Sequence, residues 1–207
     1  MPRAQICMYQ VRDAIGQHVY PVHRIDASTT GLLIFAKSSE AASKICRQFA
    51  EHVVRKTYWA VTRGYTPENG HIDIPLQSDS SENLLVAQTN YTRLATIELP
   101  HSVGKRFATA RYSWVEASPV TGRFHQIRRH FSRISHPLVG DGEHGDSKHN
   151  TFFREKLQMP GLCLRAQRLE LIHPRSDETI QFQAPWSEKW RKIQTLFKDF
   201  DANQKRQ

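Results

Sequence analysis

The hydrophobic pattern changes period along the chain and so lays out strands and helices in turn. Gly31–Lys37 is apolar on both alternating faces, which predicts a strand buried on both sides. Ser39–Phe49 carries Ala42, Ile45, Cys46 and Phe49 at helical spacing behind Ser38 or Ser39 as N-cap, and predicts a helix with those four side chains inward. Lys56–Arg63 reads as a strand, and Thr66-Pro67-Glu68-Asn69-Gly70 turns it back toward His71–Pro75. The polar run Ser78–Asn83 predicts a mobile loop. Tyr91–Leu99 and Ala108–Ala117 predict long antiparallel strands around a Ser102-Val103-Gly104-Lys105 turn. Two late strands, Leu162–His173 and Glu178–Gln183, precede a helix from Ser187 to about Phe200, with Asn203–Gln207 fraying. With no repeat and no low-complexity linker, the pattern predicts one α+β domain over 1–207, a mixed and mainly antiparallel sheet flanked by helices.

The segment after Thr121-Gly122 is helical by periodicity but badly charged for a solvated surface. At about 100° per residue, Phe124, Ile127, Phe131 and Ile134 share a stripe roughly 80° wide that should face the core. Arg128 falls only about 40° from Phe124, whereas Arg129 and Arg133 point well away. A guanidinium drawn toward a core needs an anion, and breaking such a pair costs about 3–5 kcal/mol. Asp26 is the candidate partner, because it too lies beside an apolar run. At about 4 Å and an effective dielectric near 20 the attraction is on the order of 4 kcal/mol before desolvation is subtracted. The same residues are compatible with Arg128 reaching out to water and Asp26 capping a turn.

Four segments, in order, resemble the RluA-type pseudouridine synthases. They are His23-Arg24-Ile25-Asp26 with Thr29-Thr30-Gly31-Leu32-Leu33, then Arg55-Lys56-Thr57-Tyr58-Trp59-Ala60, then Gly122-Arg123-Phe124-His125-Gln126-Ile127-Arg128-Arg129-His130, and His136-Pro137-Leu138-Val139-Gly140-Asp141. The resemblance runs from about Tyr9 to the Trp186–Trp190 region. Val11–Val19, Gln126–His130 and Gly140–Asp146 are similar to the branch of the family that modifies uridine 65 in the T-stem of tRNA.

That resemblance implies the pseudouridine synthase catalytic fold and an isomerisation of uridine that needs no cofactor. The C–N glycosidic bond breaks, the uracil turns in place, and a C–C bond forms from ribose C1′ to base C5. Asp26 is implied as the essential carboxylate, attacking C1′ or acting as base on the ribose. Arg128 is implied as its ion-pair partner, and Tyr58 as the aromatic that packs on the target base, although sharing a strand face with Val54, Lys56 and Ala60 also suits a core role. Arg24 matches the position that fills the gap left by the extruded base, although a phosphate contact at the surface would suit it equally. Arg123, Arg129, Arg133 and Lys105 are candidates for phosphate contacts, each equally readable as an ordinary solvated charge.

Two departures from the family stand out. Its members begin with an extra strand and a Lys-Pro-x-Gly segment ahead of the aspartate motif. This sequence opens at Met1-Pro2-Arg3, so the domain is expected to lack that strand. Leu164-Arg165-Ala166 also places a fixed charge where the family has histidine.

Bulk composition agrees with an RNA partner. Lys and Arg outnumber Asp and Glu by 29 to 20, a net charge of +9 that favours a polyanion such as tRNA. Cys7, Cys46 and Cys163 are odd in number and far apart, which points to reduced thiols in a cytoplasmic protein. No apolar run is long enough for a membrane span, and no obligatory protein partner is indicated. His125, His130, His136, His144 and His149 with Asp141 and Asp146 match no standard metal-binding spacing, so no metal is expected. Asp26 and Asp141 could together serve as a glycosidase acid and base, but the surrounding arginines disfavour a neutral sugar.

Overall fold

Six strands form the spine of the protein, each antiparallel to its neighbours. The computed structural model describes residues 7–104 and 106–204, so Lys105 and the outermost residues of both ends lie outside it. In chain order the elements are α1 (Cys7–Ile15), β1 (Tyr20–Pro21), β2 (Thr30–Gly31), β3 (Phe35–Ala36), α2 (Ser39–Ala50), β4 (Arg55–Arg63), β5 (Asn69–Asp73), β6 (Leu76–Gln77), β7 (Leu84–Leu85) and β8 (Gln88–Leu99). They continue with β9 (Ala110–Pro119), α3 (Gln126–Arg133), α4 (Ser147–Glu155), β10 (Leu164–Ile172), β11 (Thr179–Gln183) and α5 (Glu188–Gln204). The spine runs β11-β10-β4-β9-β8-β5, and β2 joins β10 in parallel.

Strand alternation sorts the core into two faces. On one, Ala60, Val115, Ala117 and Leu164 pack against Ile127 and Phe131 of α3. On the other, Val61, Tyr112, Trp114 and Cys163 pack against Phe152 and Phe153 of α4 and Trp190, Ile193 and Phe197 of α5. A bulge between Arg93 and Ala95 reverses the facing of β8, so Tyr91 meets Phe131 while Ile97 and Leu99 meet the α5 side. A second irregularity, between Ala166 and Arg168, turns Leu169 and Leu171 toward Ile45 of α2. Thus α2 and α3 cover the same face of the sheet and leave a cleft between them.

Several expected elements change on folding. The strand expected at Gly31–Lys37 is two short pieces: Gly31 pairs with Ala166 on β10, and Phe35 pairs with Pro21 on β1. Gly31 adopts a φ of 105°, and a Cβ there would come within 2.1 Å of the Ala166 carbonyl oxygen. Helix α2 starts after Ser38, whose side chain accepts from the Ala41 N–H, but Cys46 is exposed instead of inward. The strand after the Thr66–Gly70 turn pairs with β8 and not with β4. Ser78–Asn83 closes a hairpin between β6 and β7, with the Ser78 N–H bonded to the Asn83 carbonyl at 2.9 Å. Phe124 precedes α3 and is 42% exposed, so it leaves the core stripe to which periodicity assigned it. The C-terminal helix reaches Gln204, two residues into the segment expected to fray, and residues 205–207 are not described.

Candidate active site

The cleft between α2 and α3 has a volume of roughly 440 Å³, in the range of small-ligand sites. Lys56, Tyr58 and Leu164 from the sheet lie in it, with His23–Asp26 on one wall and Thr121–Ile127 on the other. Asp79, at the tip of the β6–β7 hairpin, reaches it from above.

The Thr121–Ile127 wall owes its shape to one buried side chain. Gln126 accepts from the Thr121 hydroxyl at 2.7 Å and the Arg123 N–H at 2.9 Å, and donates to the Gln88 carbonyl and Thr89 hydroxyl at 2.9 and 3.0 Å. His130 extends the network, with Nδ1 3.0 Å from the Thr89 hydroxyl and Nε2 3.0 Å from the Ile74 carbonyl. Burial pushes its imidazole toward the neutral form. Between these anchors His125 takes a left-handed conformation, φ 51°, uncommon for a residue with a Cβ. That break lets Phe124 and His125 stack, centroids 3.7 Å apart, at the entrance to the cleft.

Asp26 sits in a turn closed by the Thr29 N–H on its carbonyl, with its carboxylate 23% exposed. Arg128 approaches one of its oxygens at 3.7 Å. The helix arithmetic therefore placed Arg128 well: it is 3% exposed, while Arg129 is half-buried and Arg133 exposed. The expected contact with Asp26 is present, but as a long one, and the close partner of Arg128 is a different carboxylate. The guanidinium is engaged in a two-pronged pair with Asp141, Nε to Oδ2 at 2.8 Å and Nη2 to Oδ1 at 2.7 Å. The other hydrogen bonds to the Asp141 carboxylate come from the Glu143 and His144 N–H groups, both at 3.0 Å from Oδ1. Burial alone would raise the Asp141 carboxyl, but the Arg128 hydrogen bond and these two N–H donors outweigh it and hold the group below the usual range. The Asp141 hydrogen bonds in turn raise Arg128 further, so the guanidinium is permanently charged. Arg128 is thus a braced cation presented to Asp26 and not its captive partner. Asp141, with no exposed side-chain surface and both oxygens occupied, is removed from any glycosidase pairing with Asp26.

Tyr58 lies on the cleft floor, where burial and the Asp26 charge push its phenol up to about 12 and keep it protonated. Lys56, two residues earlier on the same strand face, donates to the Thr121 carbonyl at 3.2 Å, and burial lowers its ammonium. His23 Nε2 accepts the Ile34 N–H at 3.0 Å, and burial with the Lys56 charge lowers its imidazole to about 4.

The cationic residues named from sequence divide three ways. Arg24 is exposed and Arg123 half-buried, and both line the cleft, Arg123 with its Nε on the Val86 carbonyl at 3.0 Å. Arg129 is committed to the Gln77 carbonyl at 2.9 Å and steadies the hairpin, and Arg133 is exposed away from the cleft-lining residues. Lys105 lies outside the described residues. Arg165 is buried on the opposite face of β10 from Leu164, hydrogen-bonded to the Pro185 carbonyl, so its departure from histidine does not alter the cleft wall. The sequence reading missed Lys56 and the anchoring role of Asp141. The run Gly140-Asp141-Gly142 was the available signal, since Gly140 has φ 78° and a Cβ there would strike the Gly161 carbonyl oxygen at 2.1 Å.

A carboxylate facing a braced guanidinium above a protonated tyrosine, in a cleft with further cationic walls, defines a site for acting on an anionic, planar substrate. The RNA pseudouridylate synthase family profile matches residues 5–133. The tRNA pseudouridine synthase C of Vibrio parahaemolyticus is 42% identical over 93% of this chain and 82% of its own length. That of Vibrio vulnificus is 41% identical over 95% and 83%. Among solved structures, human RNA pseudouridylate synthase domain containing 1 superposes with a TM-score of 0.72 at 25% identity, covering 90% of this chain and 76% of that one. The chain belongs to the RNA pseudouridylate synthase family, and its α+β sheet is the fold of that family. Among the described residues no helix is long and apolar enough to cross a membrane.

Proposed function

We propose that the protein is a cytoplasmic tRNA pseudouridine synthase that isomerises uridine 65 of the T-stem in one catalytic domain. The observation that carries this reading is the position of Asp26: a partly exposed carboxylate, 3.7 Å from a buried guanidinium, at the wall of a cleft floored by Tyr58. It is joined by the similarity to enzymes named for tRNA.

In this reading the uridine leaves its helix and enters the cleft, an extrusion that costs a few kcal/mol. Arg24 occupies the vacated place, and the exposed face of Phe124, backed by His125, offers a stacking platform to a neighbouring base. Tyr58 packs on the uracil. The Asp26 carboxylate acts on the ribose side of the glycosidic bond, and Arg128 balances its charge without giving up a proton to it. Once the bond opens, the base turns so that C5 faces C1′. The C5 hydrogen is released when the new C–C bond forms, with Tyr58 assisting that transfer. Arg123, on the opposite wall from Arg24, meets a phosphate.

Carbodiimide mapping of pseudouridine in tRNA transcripts, read by primer extension, tests the target. The expected result is one new stop at uridine 65, present with tRNA and absent with ribosomal RNA. Modification of ribosomal RNA alone, or of another tRNA position, contradicts the assignment.

A further inference from the structure

His125, Glu143 and His144 form a cluster to which the isomerisation assigns no step. His125 Nδ1 lies 3.2 Å from His144 Nε2 and 3.4 Å from Glu143 Oε2. Two ligand atoms on a tetrahedral zinc ion at about 2.0–2.1 Å lie about 3.3 Å apart, so both separations already match. All three ligand atoms fall within 4.8 Å of one another, and Glu143, an exposed side chain, closes the remaining distance by rotation.

The surroundings also orient these groups. Glu143 is held through its other oxygen, Oε1, by Arg128 at 3.4 Å, which leaves Oε2 turned to the histidines. The backbone N–H groups of Glu143 and His144 are both fixed on Asp141, itself buried. The second nitrogen of His125, Nε2, faces Asp26 Oδ1 at 4.0 Å. At that distance the contact is electrostatic and not a hydrogen bond, and a carboxylate on that side favours the Nε2–H tautomer that leaves Nδ1 free for a metal. His144 Nε2 and Glu143 Oε2 both lie within 3.4 Å of one His125 nitrogen, and a cation placed among them would meet all three at once. Two imidazoles and one carboxylate suit zinc and its neighbours over magnesium or calcium, and leave a fourth position for water.

We propose that His125, Glu143 and His144 bind one divalent transition-metal ion of the zinc type at the cleft mouth, and that its occupancy suppresses turnover. A metal on Nδ1 puts the His125 proton on Nε2, pointing it at the Asp26 carboxylate and engaging the group that must act on the ribose. Binding stands on the cluster's own geometry, whereas suppression rests on the isomerase reading, so the two are measured separately. The sequence spacing gave no sign of this site, because Glu143 and His144 reach His125 only through the bend of the Gly140–Gly145 loop.

Zinc chloride titrated into the full chain by calorimetry, with cobalt(II) as absorbing substitute, reads binding without RNA. The expected result is one ion per chain with tetrahedral cobalt absorption, and an affinity lowered at least about tenfold in both His144→Gln and Glu143→Gln. In parallel, zinc should suppress pseudouridine formation by wild type, while His144→Gln keeps its basal turnover and resists zinc. Equal zinc affinity in wild type and both variants overturns the site. Undiminished turnover by the zinc-loaded wild type overturns the suppression. A wild-type chain inactive even without zinc would instead remove the isomerase reading and leave the binding isotherm standing.

Discussion

Removing Asp141 should cost far more stability than removing Asp26, although both carboxylates face Arg128. Asp141 has no exposed side-chain surface and accepts four hydrogen bonds, two from the guanidinium at 2.7 and 2.8 Å and two from backbone N–H groups at 3.0 Å. Asp141→Ala strips these and leaves Arg128, 3% exposed, with Asp26 at 3.7 Å and the exposed Glu143 at 3.4 Å as its remaining anions. Breaking one partner of a buried pair costs about 3–5 kcal/mol. For a chain of this length that is a fall of roughly 6–20 °C in Tm. Asp26 is 23% exposed and makes only long ion contacts, 3.7 Å to Arg128 and 4.0 Å to His125, so Asp26→Ala should cost about 1 kcal/mol or less. Urea unfolding of wild type and both variants, monitored by tryptophan fluorescence, gives the two values from their midpoints. Replacing Arg128 and Asp141 together by Met and Leu should recover most of the loss, since apolar residues of similar volume leave no charge unpaired. Equal destabilisation by Asp26→Ala and Asp141→Ala would refute this division and restore Asp26 as the main partner of Arg128.

Three further outcomes follow from the same geometry. Tyr58→Phe should keep RNA affinity while lowering turnover by about 10²-fold or more, the scale of a lost proton-transfer group; unchanged turnover in single-turnover assays would confine Tyr58 to packing. His23 has a folded value of about 4 against an ordinary 6.5, so its contribution is full above about pH 6.5 and is lost as pH falls toward 4. It amounts to up to about 3 kcal/mol, and His23→Gln should flatten that part of the stability–pH curve; an equally steep curve in the variant would contradict the linkage. Phe124→Ala should weaken tRNA binding by about 1–3 kcal/mol while Phe124→Trp retains it, and equal affinities in a filter-binding assay would remove the stacking role.

How much of this was legible in the sequence depended on whether a feature is local. Strands β4, β8 and β9 and the inward direction of Arg128 follow from side-chain periods of two and 3.6, and the structure places them within a few residues of expectation. The Gly31–Lys37 strand failed because its apolar run serves two partners, β10 through Gly31 and β1 through Phe35, and pairing is not written in alternation. Phe124 escaped its stripe because the left-handed turn at His125 breaks the helical phase one residue before α3 begins. Helix α1 buries no side chain, and α4 buries Phe152 and Phe153 at adjacent positions, so neither carries the spacing that marks an amphipathic helix. Periodicity gave the direction in which Arg128 points but not the anion it meets. That anion sits on a loop shaped by the positive φ of Gly140 and by the Asn150 side chain, which accepts the Gly140 N–H and donates to the Asp141 carbonyl. The motif resemblance supplied what local physics could not: it joined Asp26, Tyr58 and Arg128, which are separated widely along the chain, and the cleft brings Asp26 and Tyr58 together beside Arg128.

The most direct test of the account follows the hydrogen that pseudouridine formation must expel from uracil C5. With tRNA transcript carrying tritium at uridine C5, the wild-type chain should release tritium to water, one equivalent per target uridine. Asp26→Ala should release none while binding the same tRNA. Release by Asp26→Ala at the wild-type rate would contradict the central claim that this carboxylate performs the isomerisation.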